Sequence, residues 1–109
     1  MSQFPNILKE IPSDQSQELI ETLWGNRRIR IERIVSQGHA SPPDFWYDQD
    51  ENEFILLIQG SARLQFVGEE PCEMIPGSYM HIPAHMRHRV DWTDPTQQTI
   101  WLAVFYPTR

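Results

Sequence analysis

A single cysteine, Cys72, rules out an internal disulfide, and no histidine or basic residue beside it would lower its pKa, so it is a poor nucleophile. Positive charge is also scarce. Nine Lys and Arg stand against 15 Asp and Glu, a net charge of −6. The local cluster Arg27, Arg28 and Arg30 is too short to form the basic stripe of a nucleic-acid binder, so none is expected as a partner. Long apolar runs are missing too. The longest is Ile100 to Tyr106, far below the roughly 20 residues of a membrane-spanning helix, and no membrane partner is expected. Met1-Ser2-Gln3-Phe4-Pro5 lacks the positive and then apolar pattern of a secretory leader, so a reducing, cytoplasmic setting is expected.

What is present points to one folded unit. At 109 residues the chain suits a single domain, and its 12 aromatic residues argue against disorder. Nine prolines divide it into short segments that leave little room for a long helix. Ser16 to Trp24 could be a short helix or an edge strand. Beyond it the pattern is β. Ile29, Ile31 and Val35 share one face with period two, and Arg33 is the odd member of that face. Phe54 to Ile58 is wholly apolar, as expected of a strand covered on both sides, and residues 54 to 67 read as a hairpin turning near Gln59-Gly60. Pro76-Gly77 signals a turn before Ser78 to Ile82; Arg89 to Trp92 and Thr99 to Tyr106 complete the set. Seven or eight short strands predict an all-β sandwich or barrel, with a barrel over 29–106 and an arm over 1–24 in one domain, 1–109.

Three polar features stand out. Glu53 directly precedes an apolar strand; His88 follows the bend at Pro83-Ala84-His85; and Phe45 to Glu53 crowds aromatics and oxygen donors together. A carboxylate and an imidazole meeting inside a barrel would suit a divalent first-row metal.

The spacing of these residues resembles that of the cupin superfamily, and of small single-domain bacterial cupins in particular. Glu53 followed seven positions later by Gly60 resembles the end of the first cupin motif, G-x5-H-x-H-x3,4-E-x6-G. Gly77, Pro83 and His88 fall in register with the second, G-x5-P-x-G-x2-H-x3-N, where His85 replaces the glycine and Trp92 the asparagine. The resemblance implies a cupin jelly-roll barrel (a double-stranded β-helix) over about residues 29 to 106, and a homodimer with residues 4 to 24 exchanged or packed between copies. It also implies a metal held by two first-motif histidines, a glutamate and a second-motif histidine. Here the first-motif histidine positions fall on Tyr47 and Gln49 with the shorter spacer, or on Trp46 and Asp48 with the longer. The set implied is therefore Gln49, Glu53 and His88, around manganese, iron or zinc, with Tyr47 or His81 for proton transfer.

Plainer readings compete with each of these. Glu53 and His88 would satisfy each other, or pair with Arg33, because a buried charge needs a partner. His85 would be exposed at its turn, and His39 would rim a pocket mouth or face solvent. Trp46, Tyr47, Trp92, Trp101 and Phe105 would be core, with Phe45, Tyr47 and Trp101 lining a pocket as the minority reading. Three functions follow: a metal-dependent enzyme acting on a small polar organic molecule, a non-catalytic binding or sensing module for such a ligand, or a structural dimer with a vestigial cavity.

Overall fold

Residues 4–13 and 16–108 are described by a computed structural model, and all their regular structure is β. Residues 1–3, 14, 15 and 109 lie outside the described residues, so the arm expected over 1–24 is seen in part. Among the described residues no helix is long and apolar enough to cross a membrane.

Eight strands follow one another: β1 (Leu19–Gly25), β2 (Arg30–Ser36), β3 (Asn52–Gln59), β4 (Ala62–Phe66), β5 (Cys72–Met74), β6 (Tyr79–Ile82), β7 (His88–Thr93) and β8 (Thr99–Tyr106). They form two antiparallel sheets, ordered β1-β2-β8-β3-β6 and β5-β4-β7. The sheets close on each other as a jelly-roll barrel, the fold expected from the sequence. Period-two alternation decides what fills it. On β3 Glu53, Ile55 and Leu57 are buried while Phe54, Leu56 and Ile58 are half-buried; on β8 Trp101, Ala103 and Phe105 alternate likewise with Leu102, Val104 and Tyr106. The inward set joins Ala62, Leu64, Met74 and Ile82 in one core.

Of the short helix or edge strand open for Ser16 to Trp24, the edge strand forms, residues 19–25 pairing with β2. Two expectations change. Residues 54 to 67 are not a hairpin, because β3 pairs with β6 and β8 whereas β4 pairs with β5 and β7. The chain instead turns a corner between sheets at Gly60, whose φ is 95°. A Cβ there would stand 2.6 Å from Thr99 Cα, so only glycine fits this crossing. The apolar run of β3 is covered on its inner side and half-exposed on the other. On β2, Ile31, Arg33 and Val35 share one face as the alternation implies, and Glu32 and Ile34, on the other, line the space between the sheets.

Arg33 is nonetheless buried, 5% exposed, because the arm folds over it. Its guanidinium donates to the carbonyls of Ile7 (3.2 Å) and Lys9 (2.7 Å) and pairs with Glu21. The arm thus packs against its own chain at this point.

Candidate functional site

One cavity of about 140 Å³ lies between the sheets. Apolar side chains form most of its wall, among them Ile34, Ile55, Leu64, Ile82, Val90 and Phe105. Its polar members are Glu18, Glu32, Tyr47, Gln49, Glu53, His88 and the indole of Trp101. It opens beside Ile20 and Tyr47, which are 57% and 38% exposed.

Glu53 arrives from β3, paired with Ile82 on one side and Phe105 on the other. His88 starts β7. Before it, the segment carrying Tyr47 is stitched to β7 by a two-residue bridge: Tyr47 N–H donates to His88 O at 2.7 Å and His88 N–H to Tyr47 O at 3.2 Å. That bridge stacks the Tyr47 ring on the imidazole at 5.5 Å, and Phe66 lies 6.0 Å away. The His88 Nδ1 is 2.8 Å from Met86 O; a carbonyl only accepts, so Nδ1 carries a proton and Nε2 is turned to Glu53 Oε1 at 3.6 Å. Gln49 donates its amide to the same carboxylate oxygen at 2.7 Å. Glu53 and His88 are 8% and 4% exposed, so neither is satisfied by bulk water.

The electrostatics follow from this enclosure. Burial alone lowers the pKa of His88, but the Glu53 carboxylate and the Met86 carbonyl outweigh it and hold the imidazole above its ordinary value. The Tyr47 phenol is pushed up by burial and by the charges of Glu18 and Glu53, so it keeps its proton. Glu53 therefore meets His88 and Gln49, while Arg33 is taken by Glu21 and the arm; the Glu53–Arg33 pair expected as a competitor does not form.

The bend before His88 shows how the chain departs from the motif it resembles. His85 stands where the motif has glycine, and its φ is 66°, the left-handed conformation that glycine adopts freely and histidine less often. Its ring compensates, reaching Asp48 Oδ1 at 2.7 Å and Asp50 Oδ1 at 3.5 Å, while its N–H donates to Gln49 O at 2.8 Å. The contact with Asp48 raises the exposed imidazole's pKa. Together these contacts pin the strip that presents Gln49 to the cavity.

Of the residues singled out in the sequence, Tyr47, Gln49, Glu53 and His88 line the cavity together. Trp46 and Asp48 do not; Asp48 is taken up by His85 and Trp46 lies under the Arg89 guanidinium. His81 is not brought to the site. It lies on the exposed face of β6, stacked on and hydrogen-bonded to Tyr106, because its neighbour Ile82 takes the inward position. Phe45 is exposed and packs edge-on against Tyr47, whereas Trp101 is part of the wall. His39 borders a shallow recess that shares Glu18, Tyr47 and Val90 with the cavity. Sequence reasoning missed Glu18 and Glu32. Glu32 shares a face with Ile34, two positions on along β2, and that pairing was the usable signal.

As a metal centre this set is incomplete. Among the described residues no group of three His, Cys, Asp or Glu side chains converges. Glu53 and His88 present ligand-type atoms, but Gln49 turns its N–H side to Glu53 and would have to reverse its carboxamide to offer oxygen. The arrangement is a carboxylate–imidazole pair 3.6 Å apart, with the Gln49 amide donating to the carboxylate, and no step through a metal is derived from it.

Comparison with known proteins agrees with this fold. The profile of the cupin domain family matches residues 32–105. No curated protein matches the chain. Among solved structures, a candidate mannose-6-phosphate isomerase from Ralstonia eutropha is 40% identical, with a TM-score of 0.93 over 97% of this chain and 99% of that one. A cupin superfamily protein from Desulfitobacterium hafniense is 18% identical, with a TM-score of 0.73 over 89% of this chain and 84% of its own. An RmlC-like cupin from Methanocaldococcus jannaschii, described as a double-stranded β-helix, is 19% identical, with a TM-score of 0.69 over 90% and 87%. These last two share the fold. With a profile match over more than half its length and a relative 40% identical from end to end, the chain belongs to the cupin family.

Proposed function

We propose that this protein binds a small polar organic molecule in its barrel cavity, at the Gln49–Glu53–His88 group. The observation that carries this reading is the buried Glu53–His88 pair, 3.6 Å apart in a cavity whose wall is mostly aliphatic and aromatic. Buried charge is costly to maintain, and a cavity that keeps a pair facing open space is built to offer it to something. The test is a thermal-shift and calorimetric screen of small metabolites against the wild type, Glu53→Gln and His88→Ala. Hits should weaken in both variants; hits that survive both would place binding elsewhere.

A second reading is an enzyme that moves protons on such a molecule. It is favoured by the pair itself and by likeness to the candidate isomerase from Ralstonia eutropha. Glu53 would take a proton beside a carbonyl while the Tyr47 phenol or protonated His88 donates to the carbonyl oxygen. Turnover without added metal, lost in Glu53→Gln, would favour this reading over plain binding. His81 has no part in it.

The outer face of β3 and β8, with Phe54, Leu56, Leu102, Val104 and Tyr106 half-buried, supports a homodimer built on this sheet. Light scattering of the purified chain should give twice the chain mass.

A further inference from the structure

Two of the places where the chain departs from the cupin motifs touch each other. Gln49 stands at a first-motif histidine position that lines the cavity, and His85 stands at the second-motif glycine. The φ of 66° at His85 is free to glycine and disfavoured for any residue with a Cβ. A side chain kept in such a conformation points to a use for it, and its contacts show which. The ring lies 2.7 Å from Asp48 Oδ1 and 3.5 Å from Asp50 Oδ1, the residues on either side of Gln49. Its backbone N–H donates to Gln49 O at 2.8 Å. One residue thus holds three consecutive positions of the strip.

The middle of those three positions decides how Glu53 is met. A carboxamide has a donor end and an acceptor end, and Gln49 turns the donor end to Glu53 Oε1 at 2.7 Å. His88 faces the same oxygen at 3.6 Å. Burial works against the proton of His88, but the Glu53 carboxylate and the Met86 carbonyl keep its pKa above the ordinary value. A metal centre needs lone pairs from its ligands, directed at the ion. Here two neighbours offer hydrogens to the carboxylate instead, and the third position, Tyr47, stacks its ring on His88 at 5.5 Å.

We infer that His85 is a positioning residue that holds the Gln49 amide N–H on Glu53 through Asp48 and Asp50, and that Gln49 and His88 take over from the divalent ion of the family pattern as the partners of this carboxylate. Loss of the motif glycine and loss of the first-motif histidine at Gln49 are then two parts of one change. Exposed ion pairs add little to stability, so the contacts of His85 act on the strip rather than on the fold. The inference concerns how the protein itself satisfies Glu53, and it stands whether or not a small molecule binds in the cavity.

The experiment compares the wild type with His85→Gly, which suits the backbone at this position and removes only the ring. Both are titrated with Zn²⁺ by calorimetry, counting the binding that His88→Ala abolishes in each background. The Gln49 side-chain amide is followed by ¹⁵N–¹H spectroscopy and assigned by its loss in Gln49→Met. The wild type should show slowly exchanging Gln49 amide protons and no stoichiometric His88-dependent Zn²⁺ binding. In His85→Gly those protons should exchange severalfold faster. With the carboxamide free to reverse, Zn²⁺ should bind about tenfold or more tightly than in the wild type, the scale on which outer contacts tune metal affinity. The Tm should hold or rise, because glycine relieves the backbone; a merely structural role for the ring would instead move Tm and leave both other readouts still. His85→Asn, which also tolerates this conformation, serves if the glycine variant does not fold. An unmoved Gln49 amide or an unchanged Zn²⁺ affinity in these variants overturns the positioning role. A wild type that takes up one His88-dependent Zn²⁺ overturns the replacement of the ion.

Discussion

Replacing Glu53 by glutamine keeps the shape of the side chain and the oxygen that accepts the Gln49 amide, but removes the charge facing His88. At 3.6 Å, two unit charges attract by about 4–5 kcal/mol at an effective dielectric near 20. The variant does not lose all of this, because His88 can release its proton. The cost of doing so is about 1.4 kcal/mol for each unit by which the folded pKa lies above the solution pH. Removing a charged partner from a buried imidazole is expected to cost about 1–2 kcal/mol where the imidazole is protonated, which lowers Tm by about 4–8 °C in a domain of this size. The sign of the pH dependence follows from the raised imidazole. A folded pKa above the unfolded value of about 6.5 contributes stability that is fully present below that value and lost as pH rises through the folded one. The wild type should lose this increment as pH rises above about 6.5 and through the folded pKa, and Glu53→Gln should not, so the penalty of the substitution shrinks as pH rises. His85 is also raised but is present in both proteins and cancels in the difference. Urea unfolding of the two proteins across that range is the assay. An equal penalty at both ends, or a larger one at high pH, would refute the pairing.

Two further substitutions probe the scaffold around the site. Gly60→Ala must place a Cβ 2.6 Å from Thr99 Cα at a φ of 95°, so it should cost about 3 kcal/mol or more by strain and overlap, and a Tm within about 2 °C of wild type would show that the corner can shift. Arg33→Met keeps a long stem but removes every donor to Ile7 and Lys9. Amide exchange and proteolysis over the segment around residues 7–10 should quicken severalfold at a stability loss of about 1–2 kcal/mol, and an arm protected as in the wild type would reject the clasp.

The barrel was legible because its strands carry their signals locally. Period two, proline and glycine at turns, and the uninterrupted run Thr99 to Tyr106 need no partner to be recognised. Glu53 and His88 were legible through spacing alone, each counted from a glycine or proline that shapes the backbone around it. What failed was pairing. A run of residues followed by Gly60 and a second run looks the same whether the chain folds back on itself or crosses to the other sheet; the choice rests on Thr99, 39 residues away, which packs into the space a side chain at Gly60 would fill. On β2 the shared face of Ile31, Arg33 and Val35 was legible, but not what buries its arginine: the arm carbonyls and Glu21 that receive Arg33 lie 12 or more residues away. Glu18 and Glu32 carried no motif, so the acidity of the cavity was not legible either.

The exchange of two histidine positions for Tyr47 and Gln49 bears on what the remaining pair can do. In the family pattern an imidazole at each position would leave Glu53 as one ligand among four. Here one Glu53 oxygen accepts the Gln49 amide and faces His88 Nε2 at 3.6 Å, and Gln49 offers its N–H side rather than its oxygen, so only two side chains present ligand-type atoms. The protein purified without chelator or affinity metal should accordingly carry well under one divalent ion per chain. Tyr47 and Gln49 both line the cavity, two positions apart on a segment bridged to His88, so the backbone already points both positions inward. Tyr47→His with Gln49→His should then convert the carboxylate–imidazole pair into a set of three imidazoles and a carboxylate, enough for a divalent ion. Elemental analysis of that double variant should show close to one ion per chain, with His88→Ala in the same background reducing it. A wild type already loaded to one equivalent would mean that Gln49 does reverse its amide for a metal. A double variant that stays empty would mean that the two positions, though inward, do not converge on Glu53.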